Sequence, residues 1–218
     1  MSNEQELVNE IFDRLDEWRN FPAYLLEGRA DIFFGIYLPN IIKKKFGCTV
    51  DHIIPEFPIK AGVLFNADPT ESAHPLKINF VAVCESVKTV YMISLKTDIN
   101  SLRPLQYSYL SKARENNIKN IVDGILDIEH ASMLKKKYNN LLHKLHAVGW
   151  LDQSLKNNTA GQYNIKIVYI QPSSKSGEDE IITFDNIIEY LSEKNDFFTT
   201  RFCRSLSSWV NNSPSELQ

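Results

Sequence analysis

Two hydrophobic rhythms divide the chain. From Glu4 to Trp18, Leu7, Ile11, Phe12 and Leu15 fall at helical spacing with acidic residues first, the order the helix dipole favours, so an amphipathic helix is expected there. After a break at Asn20-Phe21-Pro22, a second helix is expected over Ala30–Phe46. It carries Ile32, Phe33, Ile36, Tyr37 and Ile41, is interrupted by Pro39 and is stopped by Gly47. From Asp51 the rhythm shortens to strand-like runs at His52–Ile54, Phe57–Phe65, Lys77–Cys84 and Thr89–Lys96, with Asn66–Pro75 as a polar loop. The last two runs, separated only by Glu85-Ser86-Val87-Lys88, read as a hairpin. Their apolar residues are too continuous for a sheet open to water, so helices are expected over both faces.

Beyond Ser101 the helical rhythm returns over Leu102–Asn116, Ile118–Glu129 and Ala131–Val148. Asn157–Gly161 is a polar turn, Tyr163–Gln171 a strand and Pro172–Glu180 a surface loop. Helices over Phe184–Leu191 and Asp196–Val210 follow, with a frayed tail from Asn211 to Gln218. No internal repeat or Pro- or Gly-rich linker interrupts this order, so residues 1–218 are read as a single α/β domain.

Composition narrows the function classes. Hydrophobic residues make up 43% and charged residues 23% of the 218, ordinary values for a folded globular chain. Lys+Arg 24 against Asp+Glu 27 leaves a net charge of −3, so no global positive field draws the chain to phosphate polymers or anionic lipid. A nucleic-acid contact would need local patches such as Lys43-Lys44-Lys45 or Lys135-Lys136-Lys137, runs that more commonly serve as solvated helix faces. Cys48, Cys84 and Cys203 have no CxxC or CxxH spacing, the start is acidic and polar, and no apolar run is long enough to span a bilayer. The chain is therefore read as cytoplasmic, with no membrane partner. His143 and His146, three apart among Leu141, Leu142 and Leu145, are read as ordinary histidines and not as metal ligands.

Chemistry concentrates in Lys77-Ile78-Asn79 and Ser94-Leu95-Lys96-Thr97-Asp98, on the two strands of the hairpin. With a helix before the hairpin and a helix and strand after it, these segments resemble the restriction-endonuclease-like, PD-(D/E)xK nuclease superfamily. The resemblance covers about Glu27 to Arg114. It implies a core over about residues 27–171 with a mixed central sheet flanked by helices, to which the N-terminal helix and extra C-terminal helices are appended. It also places an acid on the first hairpin strand and an acid-x-Lys triplet on the second, positions held here by Asn79 and by Ser94-x-Lys96. Lys96 keeps the catalytic lysine position. Gln106, with Leu110 or Tyr109, resembles the Gln-x-x-x-Tyr element of exonuclease-type branches, and Glu27 resembles the glutamate common on the upstream helix.

Both motif carboxylates are thus substituted. Phosphodiester hydrolysis needs Mg²⁺ or Mn²⁺ held by carboxylates, with a lysine beside it to stabilise charge or orient water. At 4 Å and an effective dielectric of 20, each missing carboxylate removes roughly 8 kcal/mol of gross attraction for a divalent ion. The resemblance accordingly implies a degenerate site with no cofactor. The chain is then a non-catalytic nuclease-like protein that binds nucleic acid, DNA included, or a protein partner. The alternatives are an active metal-dependent nuclease whose metal ligands have moved to Glu27, Glu56 and Asp98, and a protein–protein interaction module.

Overall fold

The computed structural model describes residues 2–65, 75–98, 104–159, 163–174 and 180–211. Helix α1 (Asn3–Trp18) begins at a capping box in which the Gln5 N–H donates to Ser2 Oγ and the Ser2 N–H donates to Gln5 Oε1. Helix α2 (Glu27–Phe46) ends at Gly47, whose φ of 73° is the left-handed cap that glycine adopts without a Cβ penalty. The remaining elements are β1 (His52–Ile59), α3 (Ala61–Phe65), β2 (Leu76–Cys84), β3 (Thr89–Leu95), α4 (Pro104–Glu115), α5 (Ile118–Ala131), α6 (Lys135–Ala147), β4 (Asn164–Gln171), β5 (Ile181–Thr183), α7 (Phe184–Leu191) and α8 (Phe197–Asn211). No helix among the described residues is long and apolar enough to cross a membrane.

The strands form one mixed sheet in the order β1-β2-β3-β4-β5. β1 and β2 pair antiparallel from His52↔Val83 to Ile59↔Leu76, and β2 and β3 from Phe80↔Ile93 to Cys84↔Thr89. The Asn164 N–H donates to Lys88 O and the Lys96 N–H to Ile170 O, a common order along both strands that makes β4 parallel to β3. β5 continues parallel to β4 from Tyr169↔Ile181 to Gln171↔Thr183. Every residue of β3 is buried, as its continuous apolar run requires when both faces of a sheet are covered.

The expected strand over Phe57–Phe65 is corrected. β1 runs unbroken from His52 through Pro55 and Pro58 to Ile59, and Ala61–Phe65 is helical. Proline is tolerated because β1 is an edge strand, where a missing N–H donor costs no ladder bond. Glu56, at φ 53°, lies at the one gap in the register, between Pro55↔Phe80 and Phe57↔Ile78. Helix α6 starts at Lys135, not Ala131, after Ser132 closes α5 in extended conformation. β5 is too short to leave a periodic signal. Of the expected loops and tail, residues 66–74, 160–162, 175–179 and 212–218 lie outside the described residues.

The chain divides into two compact units. The first comprises Met1–Thr49, Ser94–Leu102 and Val168–Gln218, the second Val50–Ile93 and Arg103–Ile167. In the first, Phe12 meets Phe33 at 4.8 Å, and Tyr37 stacks on Phe202 at 5.2 Å while its hydroxyl meets Thr199 Oγ1 at 2.7 Å. A polar network pins α8 to α1 beside these rings. Arg201, 5% exposed, donates to Asp13 Oδ1 (2.7 Å) and Asp16 Oδ2 (2.9 Å), and Trp209 Nε1–H donates to Asp16 Oδ1 (2.7 Å). In the second unit, Phe57 packs edge-on against Trp150, and Trp150 against Tyr163. The Tyr163 hydroxyl donates to Glu85 Oε1 at 2.6 Å.

Two outcomes follow from the polar contacts of the first unit. Arg201→Ala leaves Asp16 half-buried without its cation and is expected to cost about 3–5 kcal/mol in chemical denaturation; a loss below about 1 kcal/mol would show that the network is not stabilising. Asp196 caps α8, and hydrogen bonds from the Thr199 hydroxyl and N–H hold its carboxyl below the usual range. A depressed native pKa gives stability that is complete above the unfolded value and lost as pH falls through the native one. Asn caps as well as Asp but does not titrate. Between about pH 5 and 3 the wild type is therefore expected to lose more stability than Asp196→Asn, and equal losses would contradict the assignment.

Candidate functional site

The site is built around the end of β3. Ser94 in β3 and Lys96 just past its end are both buried, Lys96 at only 7% exposure. A buried ammonium costs several kcal/mol unless it is paired and hydrogen-bonded. Lys96 Nζ donates to Glu27 Oε2 at 2.9 Å, and its backbone N–H donates to Ile170 O at 2.8 Å, so main chain and side chain are both fixed. Glu27 is the first residue of α2, where the positive end of the helix dipole favours a carboxylate. The upstream helical glutamate and the strand-end lysine, 69 residues apart, are thus brought together.

A second polar group lies in the same unit. Half-buried Arg19, just past α1, has its pKa pulled down by burial, while the carboxylates of Asp98 and Asp16 act in the opposite direction. Its Nη2 donates to Trp209 O at 3.4 Å, and its Nη1 is buried without a hydrogen-bond partner. Gln171 at the end of β4 is fully buried and donates through Nε2 to Ser173 O. Neither Arg19 nor Gln171 stood out in the sequence. An arginine at a helix end reads as solvated, and only the unusual polar residue closing the apolar run Ile167–Ile170 hinted at Gln171.

The other candidates lie elsewhere. Asn79, buried in β2, and Glu56, exposed on β1 in an ion pair with Lys77, both belong to the second unit. Gln106 is in α4, but its side chain lies outside the described residues. Tyr109, on the same helix, is buried and donates its hydroxyl to Lys77 O at 3.0 Å. His146 Nδ1 lies 3.0 Å from Leu151 O. The lysine runs are partly neutralised. Lys44 pairs with Glu193 at 2.9 Å, Lys45 with Glu180 at 3.9 Å and Lys135 with Glu129 at 3.2 Å.

The donor set around Lys96 does not fit a Mg²⁺ or Mn²⁺ ion. Glu27 already carries the Lys96 ammonium, Ser94 offers only a neutral hydroxyl, and among the described residues no three His, Cys, Asp or Glu side chains converge as a metal site. What the arrangement does chemically is hold a neutralised ion pair at the end of a buried strand. None of the family models, curated proteins or solved structures compared with the chain matches it.

Proposed function

We propose that the chain is a non-catalytic protein with a restriction-endonuclease-like core, one whose degenerate PD-(D/E)xK site has become a structural ion pair, and that it acts by binding a macromolecular partner. The observation that carries this reading is the 2.9 Å contact between buried Lys96 and Glu27. It joins the two residues that the resemblance assigns to one site and engages the carboxylate that a metal would require. The element order supports the same reading: a helix, three antiparallel strands, further helices and a strand parallel to the third. Asn79 and Ser94 stand where the resemblance calls for acids.

Relocated carboxylates are disfavoured because Glu27 and Glu56 are each committed to a lysine, and the third candidate, Asp98, acts electrostatically on the Arg19 guanidinium. Of the two partner classes, protein is favoured over DNA or RNA. The net charge is −3, and three lysines of the two basic runs are tied to acids.

Calorimetric titration of the full chain with Mg²⁺ and with Mn²⁺ tests the reading. Wild type is expected to show no sub-millimolar binding and no metal-dependent cleavage of DNA or RNA, whereas Ser94→Glu, which returns one acid beside Lys96, is expected to gain metal affinity. Sub-millimolar binding by wild type, with cleavage abolished in Lys96→Ala, would overturn it in favour of a working nuclease.

A further inference from the structure

The first unit exposes an apolar face that its own core does not use. Leu7, Ile11 and Trp18 on α1, and Leu25, Ile32 and Ile36 along α2, are 37–71% exposed. Leu26 caps α2, its O accepting from the Arg29 and Ala30 N–H groups, and Leu25 stands just before that cap. With Arg14 and Arg29 included, the α1 series is Leu7-Ile11-Arg14-Trp18, with steps of four, three and four, and the α2 series is Arg29-Ile32-Ile36, with steps of three and four, preceded by Leu25 before the cap. That is the alternation of a helix–helix seam. The core is served by other positions, Phe12 and Leu15 on α1 and Ala30, Phe34 and Tyr37 on α2. The two stripes are therefore a second apolar surface.

Part of this surface is concave. A groove of about 440 Å³ lies between the helices, with Ile11, Leu15, Trp18, Tyr24 and Phe33 on its walls. Its rim is ordered by cation–π contacts, Arg14 over Trp18 at 5.4 Å and Arg29 over Tyr24 at 4.6 Å, and Trp18 meets Tyr24 edge-on at 6.1 Å. With Phe21, 54% exposed in the connecting loop, seven large side chains stand on average about half exposed. At roughly 150–200 Å² for each when fully exposed, they present about 550–750 Å². Summed over the seven, that is at or above the upper end of the roughly 300–600 Å² of a typical monomer's largest apolar patch and approaches the roughly 800 Å² per partner of a standard stable interface.

Charge decides the occupant. Helix α1 carries six carboxylates against Arg14 alone, which repels anionic lipid and nucleic acid. The patch itself bears both signs, with Glu10 paired to Arg14 at 2.9 Å and Arg29 near its middle. A two-fold contact requires a patch that complements itself, and two apolar stripes that share the three-and-four alternation satisfy this when α1 of one copy crosses α2 of the other. We propose that this face docks a second copy of the chain, so that two helices from each copy form a four-helix contact. The inference concerns the first unit alone and does not depend on the nuclease-like reading.

Sedimentation of the full chain across a concentration series tests it. A dimer of twice 25.1 kDa is expected at micromolar concentration. Ile32→Asp and Leu25→Asp, each entering a two-fold contact twice, are expected to weaken dimerisation by about 100-fold or more without changing the circular dichroism spectrum. Leu25 precedes the α2 core positions, so its variant keeps the test informative if Ile32→Asp disturbs folding. Met133→Asp, at an exposed site in the second unit, is expected to leave the dimer intact. A wild type that stays monomeric at about 100 µM overturns the proposal. So does a dimer that survives both stripe substitutions, or a chain that pellets with anionic vesicles as a monomer.

Discussion

A lysine ammonium buried at the end of a fully buried strand must find a counter-charge, and the arrangement of the first unit around α2 meets that requirement. Glu27 supplies the charge from the first turn of α2, with a gross attraction of about 6 kcal/mol at 2.9 Å and an effective dielectric of 20, against desolvation of several kcal/mol for each ion. The pair fixes where α2 begins relative to the end of β3, and the Lys96 N–H bond to Ile170 ties that strand end to β4. Other polar contacts of the unit repeat this logic. Arg201 is buried against Asp13 and Asp16, and the Tyr37 hydroxyl against Thr199.

The same contact that satisfies Lys96 shapes the functional reading. A lysine serving phosphodiester chemistry works beside carboxylates that hold a metal, and here the nearby carboxylate neutralises the lysine instead. On the proposed reading the fold has kept the juxtaposition of helix and strand and has lost the chemistry. What it offers to other molecules is surface, and exposed apolar side chains of the first unit line α1 and α2, helices whose other faces already serve the core.

The local parts of this architecture were legible because they obey a single period. The apolar runs of β2 and β3 and the stop at Gly47 announce themselves within a few residues. β1 was misread because Pro55 and Pro58 signal a break, while an edge strand tolerates them. Lys96 and Glu27 were recognisable as candidates from the resemblance of their positions to a nuclease motif, but their contact joins residues 69 apart and appears only once the strand is buried. Arg19 and the Arg201 network could not be read at all. Ion pairs that span almost the whole chain, as from Asp13 to Arg201, leave no periodic trace.

A double-mutant cycle on folding stability, using Glu27→Gln, Lys96→Met and their combination, tests the central claim most directly. If the pair is the structural remnant described, Glu27→Gln strands the buried Lys96 ammonium and costs about 3–5 kcal/mol, Lys96→Met takes that cation from the half-buried Glu27 carboxylate and costs about 2 kcal/mol, and the double variant is no less stable than Glu27→Gln, giving a coupling of at least about 2 kcal/mol. Additive losses, with coupling near zero, would show that Lys96 does not depend on Glu27 and would contradict the account.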